Sequence, residues 1–476
     1  MTRTLAAAAG TLLALFATAC AATQPARTAD RVTGRTTPIT LDGDVSEWTG
    51  DAPVRALADQ HHLFLRFDPD TGDHAIQAAP FTTRILIDAD DRPGTGTPVA
   101  GLGVDLAVLL SPPNAAGGIG IGSEVTIYAP AGSGVSAGHA DIGFFFLPSH
   151  SAPAYEARID RAALRIENAR PVRIRVEQTD TSGAVLWSGQ TEATLPRADP
   201  AAIAPTGDIP RKPADALRVL SLNVLFSAPL QNPDAFKRTL AAVNADVILF
   251  QEWFNTPQAT IQNWMNTNAG PGWTVIAPNA SRGVAVATRV PVLEVIPAPL
   301  TDSGPGRNAR FVAAVVEGPA GPTIVGSLHL KCCGGANSAE DIRRNEEAAS
   351  INATLADALT RHPDAAMAIG GDYNLVGTRT PLETLAQRLA ADGGDLEPVH
   401  ALTLGDAAAV TWVDEKSRFS PARLDWILID SQRSTIRRAF TLDTRRLTPA
   451  ALQRLSLEPL DSQATDHLPI VVDLAR

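Results

Sequence analysis

The second half of the chain repeats one pattern, a short apolar run that stops on a polar or acidic side chain. LRVLSLN ends on Asn223, DVILFQE on Glu252 and TIVGSLH on His329; AMAIGGDYN carries Asp372 and Asn374. Asp425 sits in RLDWILID, and Asp466 and His467 precede LPIVVDL. Runs so dense in β-branched residues and leucine read as buried strands. Helix-like stretches lie between them, NPDAFKRTLAAVNA and the long run from Ala339 to His362. Strands interleaved with helices predict a layered α/β arrangement. The polar ends fall where the backbone leaves the core, so their side chains can face a cleft.

Residues 37–196 have another texture. TPITLDGDVSEW, HHLFLRFDPD, TTRILIDADD, GVDLAVLLS, SEVTIYAP and ADIGFFFLP are short apolar runs bounded by Gly, Pro, Asp or Ser. Several alternate with period two, which predicts an all-β sandwich. Residues 197–214 are rich in proline and alanine without periodicity and read as a linker. The chain is thus expected to hold two domains, a sandwich over 37–196 and an α/β domain over 215–476. Asp88, Asp90 and Asp91 can supply oxygen ligands to Ca²⁺, or form an acidic turn held by their own hydrogen bonds. Trp48 can stack on a sugar or belong to the core.

Residues 1–20 combine Arg3, a short apolar run and small residues before Cys20. This reads as a secretory signal, too short for a stable spanning helix. Residues 21–36 follow as a tether. The chain is expected to be exported to an oxidising compartment, where disulfides persist. The net charge of −11 and the lack of a basic tract weigh against tight, sequence-independent nucleic-acid binding.

The polar strand ends share a chemistry. Carboxylates and an amide oxygen suit a hard divalent cation, Mg²⁺ or Mn²⁺, which polarises a phosphoryl oxygen. A carboxylate can take a proton from water, and histidine can donate to a phosphate oxygen near neutral pH. Any one of these residues alone could be a turn or a helix cap. Six in order, each beside an apolar strand, are hard to explain as turns.

The ordered set is Leu222-Asn223-Val224, Gln251-Glu252, Gly283-Val284-Ala285-Val286, Leu328-His329-Leu330, Gly371-Asp372-Tyr373-Asn374, Arg423-Leu424-Asp425 and Thr465-Asp466-His467-Leu468-Pro469. It resembles the endonuclease/exonuclease/phosphatase superfamily, the deoxyribonuclease-I-like fold, over nearly all of residues 217–476. The resemblance implies a four-layered α/β sandwich. It implies Glu252 as main metal ligand, with Asn223 and Asp466 beside it. Asp372 would position or activate water, and Asn374 would hold the phosphate. His467 would act on the phosphate or as acid/base, oriented by Asp425. His329 would bind a phosphate oxygen or assist the leaving group. Arg343 or Arg344 would hold anionic substrate, or lie on a solvated helix face. The substrate would be a phosphate ester, a nucleic acid first and a phospholipid or sugar phosphate next, because the fold does not choose among them. The rival class is a surface-binding lipoprotein without activity.

Two shorter resemblances concern the first half. Ile39-Thr40-Leu41-Asp42-Gly43 with Glu47-Trp48, Ile87-Asp88-Ala89-Asp90 and Tyr155-Glu156-Ala157-Arg158-Ile159-Asp160 are similar to DOMON-like sandwiches related to family 9 carbohydrate-binding modules, which implies a carbohydrate ligand. Ala17-Thr18-Ala19-Cys20 resembles a bacterial lipobox, which implies lipidation of Cys20 and a membrane anchor. With Cys20 so used, Cys332 and Cys333 are too few for a zinc site. They remain a strained vicinal disulfide or two free thiols in the loop past His329.

Overall fold

The computed structural model describes residues 39–69, 72, 74–164, 171–196, 205–299 and 309–476. The signal-like residues 1–20 with Cys20, the tether at 21–36 and residues 197–204 of the expected linker lie outside them.

Among the described residues, the first half forms two large antiparallel sheets and a two-stranded one, Thr97–Val99 with Leu102–Val104. One large sheet has the order Val54–Ala58, His62–Phe67, Tyr155–Asp160, Phe145–Leu147. The other runs Val185–Thr194, Pro171–Thr179, Thr82–Asp88, Leu106–Leu110, Ser123–Tyr128, Gly134–Ala137. The period-two pattern sets their faces. In Pro171–Thr179 the side chains of Val172, Ile174 and Val176 are buried, while Arg173 and Arg175 alternate outward. The buried faces share one core, with Phe67, Phe146 and Tyr155 stacked inside it.

Asp42, Gly43 and Trp48 of the LDG and EW motifs converge on one carboxylate. Asp42 and Gly43 N–H donate to Glu156 Oε1 at 2.8 and 2.6 Å, and Trp48 Nε1 donates to Oε2 at 3.2 Å. Trp48 is therefore a buried core residue, not a surface for a sugar. The acidic turn also differs from the expected trio. Asp88, Asp90 and Asp105 face one another, while Asp91 pairs with Arg173 at 2.7 Å. Backbone N–H groups of Arg92 and Gly103 already serve Asp88, and that of Ala89 serves Asp105.

The second half is built on two further sheets. The first has the order Thr274–Ile276, Ala285–Thr288, Val247–Gln251, Leu217–Asn223, Ile470–Ala475, Thr435–Thr441, Leu402–Thr403. The second runs Val292–Ile296, Phe311–Gly318, Gly321–His329, Ala366–Asp372, Asp425–Ile429, Glu397–Pro398. Their inner faces meet through Val219, Leu249, Val286, Ala314, Val325, Ala368, Ile427 and Val472. Helices Pro233–Val243 and Gln258–Asn268 cover the outer face of the first sheet. Helices Ala339–Arg361 and Thr380–Ala386 cover the second. The result is the expected four-layered sandwich; its central strands, such as Val247–Gln251 and Ala366–Asp372, are buried along their whole length because both faces are covered, while Val292–Ile296 and Thr435–Thr441 are partly exposed.

Two glycines set the spacing beside the Asp372 strand end. A Cβ on Gly370 would come within 2.9 Å of Leu249 across the sheets. Gly371 has φ of +149° and a Cβ there would lie 2.0 Å from the Leu328 carbonyl oxygen, so only glycine fits.

The two halves share an extensive seam, with Leu41 and Leu147 packed on Ala408 and Val410 and polar contacts around them. Leu41 inserts between Ala407 and Ala409 through two backbone hydrogen bonds of 2.8 Å. Ser149 Oγ donates to the Leu375 carbonyl at 2.8 Å and Ser151 N–H to that of Gly377 at 2.8 Å. Gln77 Oε1 accepts from Ser420 N–H, and Ser123 N–H donates to the Arg418 carbonyl. At its centre Arg158 meets Asp406 with two bonds of 2.5 and 3.0 Å, both side chains buried. Residues 205–214 lie against the second half as well: Ile209 enters its core and Lys212 bonds Asp246 at 2.6 Å.

Asp406→Ala leaves the Arg158 guanidinium buried without its carboxylate. We expect a loss of about 3–5 kcal/mol of stability in urea unfolding. The double variant Arg158→Met with Asp406→Leu should recover most of it, and an equally unstable double variant would contradict the assignment.

Candidate active site

Strand register assembles the site. Gly321–His329 runs parallel to Ala366–Asp372 with His329 opposite Asp372. Ala366–Asp372 runs antiparallel to Asp425–Ile429 with Asp372 opposite Asp425. One edge of the second sheet therefore carries His329, Asp372 and Asp425 side by side. On the facing sheet Leu217–Asn223 and Val247–Gln251 are parallel, with Asn223 opposite Gln251 and Glu252 next in the chain. The sheets are tied at this edge by Gln251 Nε2, which donates to Ser327 Oγ at 2.9 Å.

The side chains converge between these edges. His467 Nδ1 lies 2.7 Å from Asp425 Oδ2, and its Nε2 points towards Asp372 Oδ2 at 3.9 Å. His329 Nε2 lies 3.5 Å from the same oxygen and 4.0 Å from Glu252 Oε1. Asn223 Nδ2 is within 3.2–3.4 Å of Glu252, Asp372 and His467. Asn374 N–H donates to Asp372 Oδ1 at 2.9 Å, which leaves Oδ2 for the cleft. Thr465 Oγ1 donates to the Asn223 carbonyl at 2.9 Å and anchors the turn that carries Asp466 and His467. Asn223, Glu252, His329, Asp372, Asn374, Asp425, Asp466 and His467 thus belong to one cluster.

Burial and charge separate the two histidines. Burial opposes the His467 imidazolium, but the Asp425 carboxylate, with Asp372 and Asp466 nearby, pushes its pKa up to about 10. Burial holds His329 well below the usual histidine range, and the Arg310 guanidinium adds to this. Burial also pushes the Asp372 carboxyl up to about 7. A neutral imidazole and an imidazolium therefore flank one buried carboxyl.

Several donors fit a divalent cation. Ligand atoms of Glu252, His329 and Asp372 lie within 4.8 Å of one another. Asp466 accepts from Trp412 Nε1 at 3.0 Å through Oδ2, while its Oδ1 is buried without a hydrogen-bond partner. The carboxylates among them are the donor chemistry of Mg²⁺ or Mn²⁺; Asn223 instead turns its amide NH₂ to the cluster, and its Oδ1 accepts from Leu225 N–H at 3.1 Å, so it orients the carboxylates rather than offering the expected oxygen ligand.

Other predicted residues are placed differently. Arg344 is wholly buried, and its guanidinium is spent on Asp341 and on the carbonyls of Lys331 and Cys333. It fixes the loop after His329 rather than meeting a substrate. Arg343 pairs with Glu347 at 3.1 Å along its own helix. Cys332 and Cys333 stand unbridged in this structure, with their sulfurs 3.0 Å apart in the loop past His329.

Two residues escaped the sequence reading. Arg310 Nη1 lies 3.2 Å from His329 Nδ1, and its Nη2 donates to the Leu330 carbonyl. It stands at the start of its strand, but that strand is antiparallel to Gly321–His329 and so opens at the same edge. Trp412 holds Asp466 from a loop without periodicity.

A family model described as the Endonuclease/Exonuclease/phosphatase family matches residues 220–467, just over half of the chain. Among solved structures, one of D. rerio TDP2 complexed with single-strand DNA product is 16% identical. It covers 55% of this chain and 99% of its own, with a TM-score of 0.38. A 3'-5' exonuclease, NExo, from Neisseria meningitidis is 17% identical and covers 54% and 100%, with a TM-score of 0.37. ANGEL2, a 2',3'-cyclic phosphatase in complex with adenosine-2',3'-vanadate, is 14% identical and covers 57% and 98%, with a TM-score of 0.39. No curated protein matches the chain in sequence.

In metal-free protein the His467 imidazolium persists to about pH 10 when folded but only to roughly 6.5 when unfolded. The stability it contributes is complete below about pH 6.5 and is lost as pH rises towards 10. The urea midpoint of EDTA-treated protein should fall across that window, and His467→Gln should flatten the fall. A variant curve parallel to the parent's would contradict this.

Proposed function

The chain belongs to the Endonuclease/Exonuclease/phosphatase family, and from that premise we propose that it is an exported, divalent-metal-dependent phosphodiesterase acting on nucleic-acid-type esters. The observation that carries the reading is the convergence of Glu252, His329 and Asp372 donor atoms within 4.8 Å, beside the His467–Asp425 pair at 2.7 Å. A degenerate binding protein would be expected to lose some of this set.

Each side chain then has a distinct task. A cation bound by Glu252 and its neighbours would polarise the phosphoryl oxygen and offset developing charge. Asp372, with its raised pKa, is basic enough to take the proton of an attacking water near neutral pH. Its Oδ1 is fixed by the Asn374 N–H, so Oδ2 faces the cleft. His467 keeps its Nδ1 on Asp425 and turns Nε2–H towards the phosphoryl group as a charged donor. His329, held neutral, suits a ligand or hydrogen-bonding role rather than that of a proton donor. As water attacks phosphorus, the P–O bond to the leaving group breaks. Arg310, beside His329, adds positive charge at that edge.

Export and anchoring rest on residues 1–20 and Cys20 alone. Phospholipid and sugar phosphate esters remain the alternative substrates, since one scaffold serves all three.

Purified protein should hydrolyse bis-p-nitrophenyl phosphate, stop in EDTA and recover with Mg²⁺ or Mn²⁺. His467→Ala and Asp372→Asn should each lose roughly 10²–10⁴-fold in kcat. Turnover indifferent to EDTA and to both substitutions would overturn the assignment.

A further inference from the structure

The turn that follows Asn223 has an unusual backbone. Leu225, Phe226 and Ser227 have φ of +47°, +48° and +60°. Non-glycine residues visit the left-handed region singly, not in runs of three, because each costs roughly 1–2 kcal/mol. Such conformations persist only where the surroundings impose them, and they gather at functional sites. Here the imposing group is Glu252. Its Oε2 accepts from Phe226 N–H at 2.9 Å and its carbonyl from Ser227 N–H at 2.8 Å. Ser227 is buried and bonds Thr256.

The consequence is an exposed aromatic ring fixed beside the cleft. Phe226 is 70% exposed, although large apolar side chains are ordinarily buried. Its ring centroid lies 5.9 Å from that of Phe254 at a tilt of 38°. Phe254 lies in turn 5.8 Å from the His329 ring at 45°. Gly283, in the GVAV motif that the chemistry leaves unused, makes room for this arrangement: a Cβ there would come within 2.6 Å of the Phe254 ring. Three flat faces thus step from solvent to the imidazole in the cluster.

We propose that Phe226, backed by Phe254, is a stacking platform for an unpaired nucleobase attached to the scissile phosphodiester, which makes Phe226 a specificity-determining residue. This rests on the phosphodiesterase reading of the adjoining cluster. The ring sits one side-chain length from an amide bonded to Glu252, within reach of a base joined to the phosphate through its sugar. A flat π face suits a planar base and tolerates any of them. The base must be unstacked to meet it, so the fitting substrate is a nucleotide or short single strand. Acidic side chains outnumber basic ones in this half of the chain, so recognition by a single ring fits better than a long phosphate track.

The test is equilibrium binding of fluorescent single-stranded oligonucleotides by the full chain in EDTA, where turnover is not needed. One carries thymine beside the central phosphate and its twin carries a tetrahydrofuran abasic residue there. The thymine strand should bind roughly 5- to 150-fold tighter, the ~1–3 kcal/mol of one base–aromatic stack at about 1.4 kcal/mol per tenfold. Phe226→Ala and Phe226→Leu should bring that ratio to about one, and Phe226→Trp should keep it. A ratio of one in the unsubstituted protein would overturn the proposal while leaving hydrolysis of bis-p-nitrophenyl phosphate intact. So would a ratio that Phe226→Leu preserves, or binding to sphingomyelin vesicles that Phe226→Ala abolishes and Phe226→Leu retains, which would assign the ring to apolar insertion. Loss of hydrolysis with the ratio preserved would instead refute only the catalytic reading.

Discussion

The site depends on strand register. His329, Asp372 and Asp425 come from three adjacent strands and meet because those strands pair residue for residue at their ends. A slip of one residue would turn each side chain to the opposite face of the sheet. The apolar interior fixes the register, because Val325, Ala368 and Ile427 must face the other sheet. Gly370 and Gly371 let the backbone come close enough for the pairing to reach the strand end. The core therefore positions the chemistry, and the buried carboxyls follow from where the core stops.

Those carboxyls are in tension. Asp372 lies close to Glu252 and Asp425 at the rim of an apolar layer, where burial first and these neighbouring carboxylates next oppose its ionisation. His467 relieves part of this by remaining protonated beside Asp425. A divalent cation would relieve the rest, and Asp466 Oδ1, which is buried, accepts no hydrogen bond and faces His467 Nε2 at 3.9 Å, points to the same need. The left-handed turn at Leu225–Ser227 is a further cost that Glu252 imposes through its two hydrogen bonds. Concentrated charge and strain of this kind are what a site held ready for an ionic substrate would show.

Much of this was legible in the sequence because the strands that carry the site are buried on both faces and stop abruptly. That texture locates Asn223, Glu252, His329, Asp372 and Asp425 without coordinates. Arg310 was not legible, since a basic residue opening a strand carries no signal until the antiparallel partner is known. Arg344 was misread for a related reason. Its place on a long helix does not say which face is buried, and the structure turns it inward to hold the His329 loop. The sandwich read as a separate module because its strands close their own core. Its contacts with the loops at 375–377 and 406–420 involve isolated side chains and short backbone pairings that leave no period. Those loops continue into Thr411, whose Oγ1 accepts from Asp425 N–H at 2.9 Å. The first half thus braces a segment that holds the partner of His467.

The central claim is that these strand ends form a metal-dependent centre, and anomalous scattering from a crystal soaked in Mn²⁺ tests it most directly. A peak within coordination distance of Glu252, between His329 and Asp372, is the predicted result, and Glu252→Gln should weaken it. A peak confined to Asp88 and Asp105, or a fully formed cluster that takes up no ion at millimolar Mn²⁺, would contradict the account.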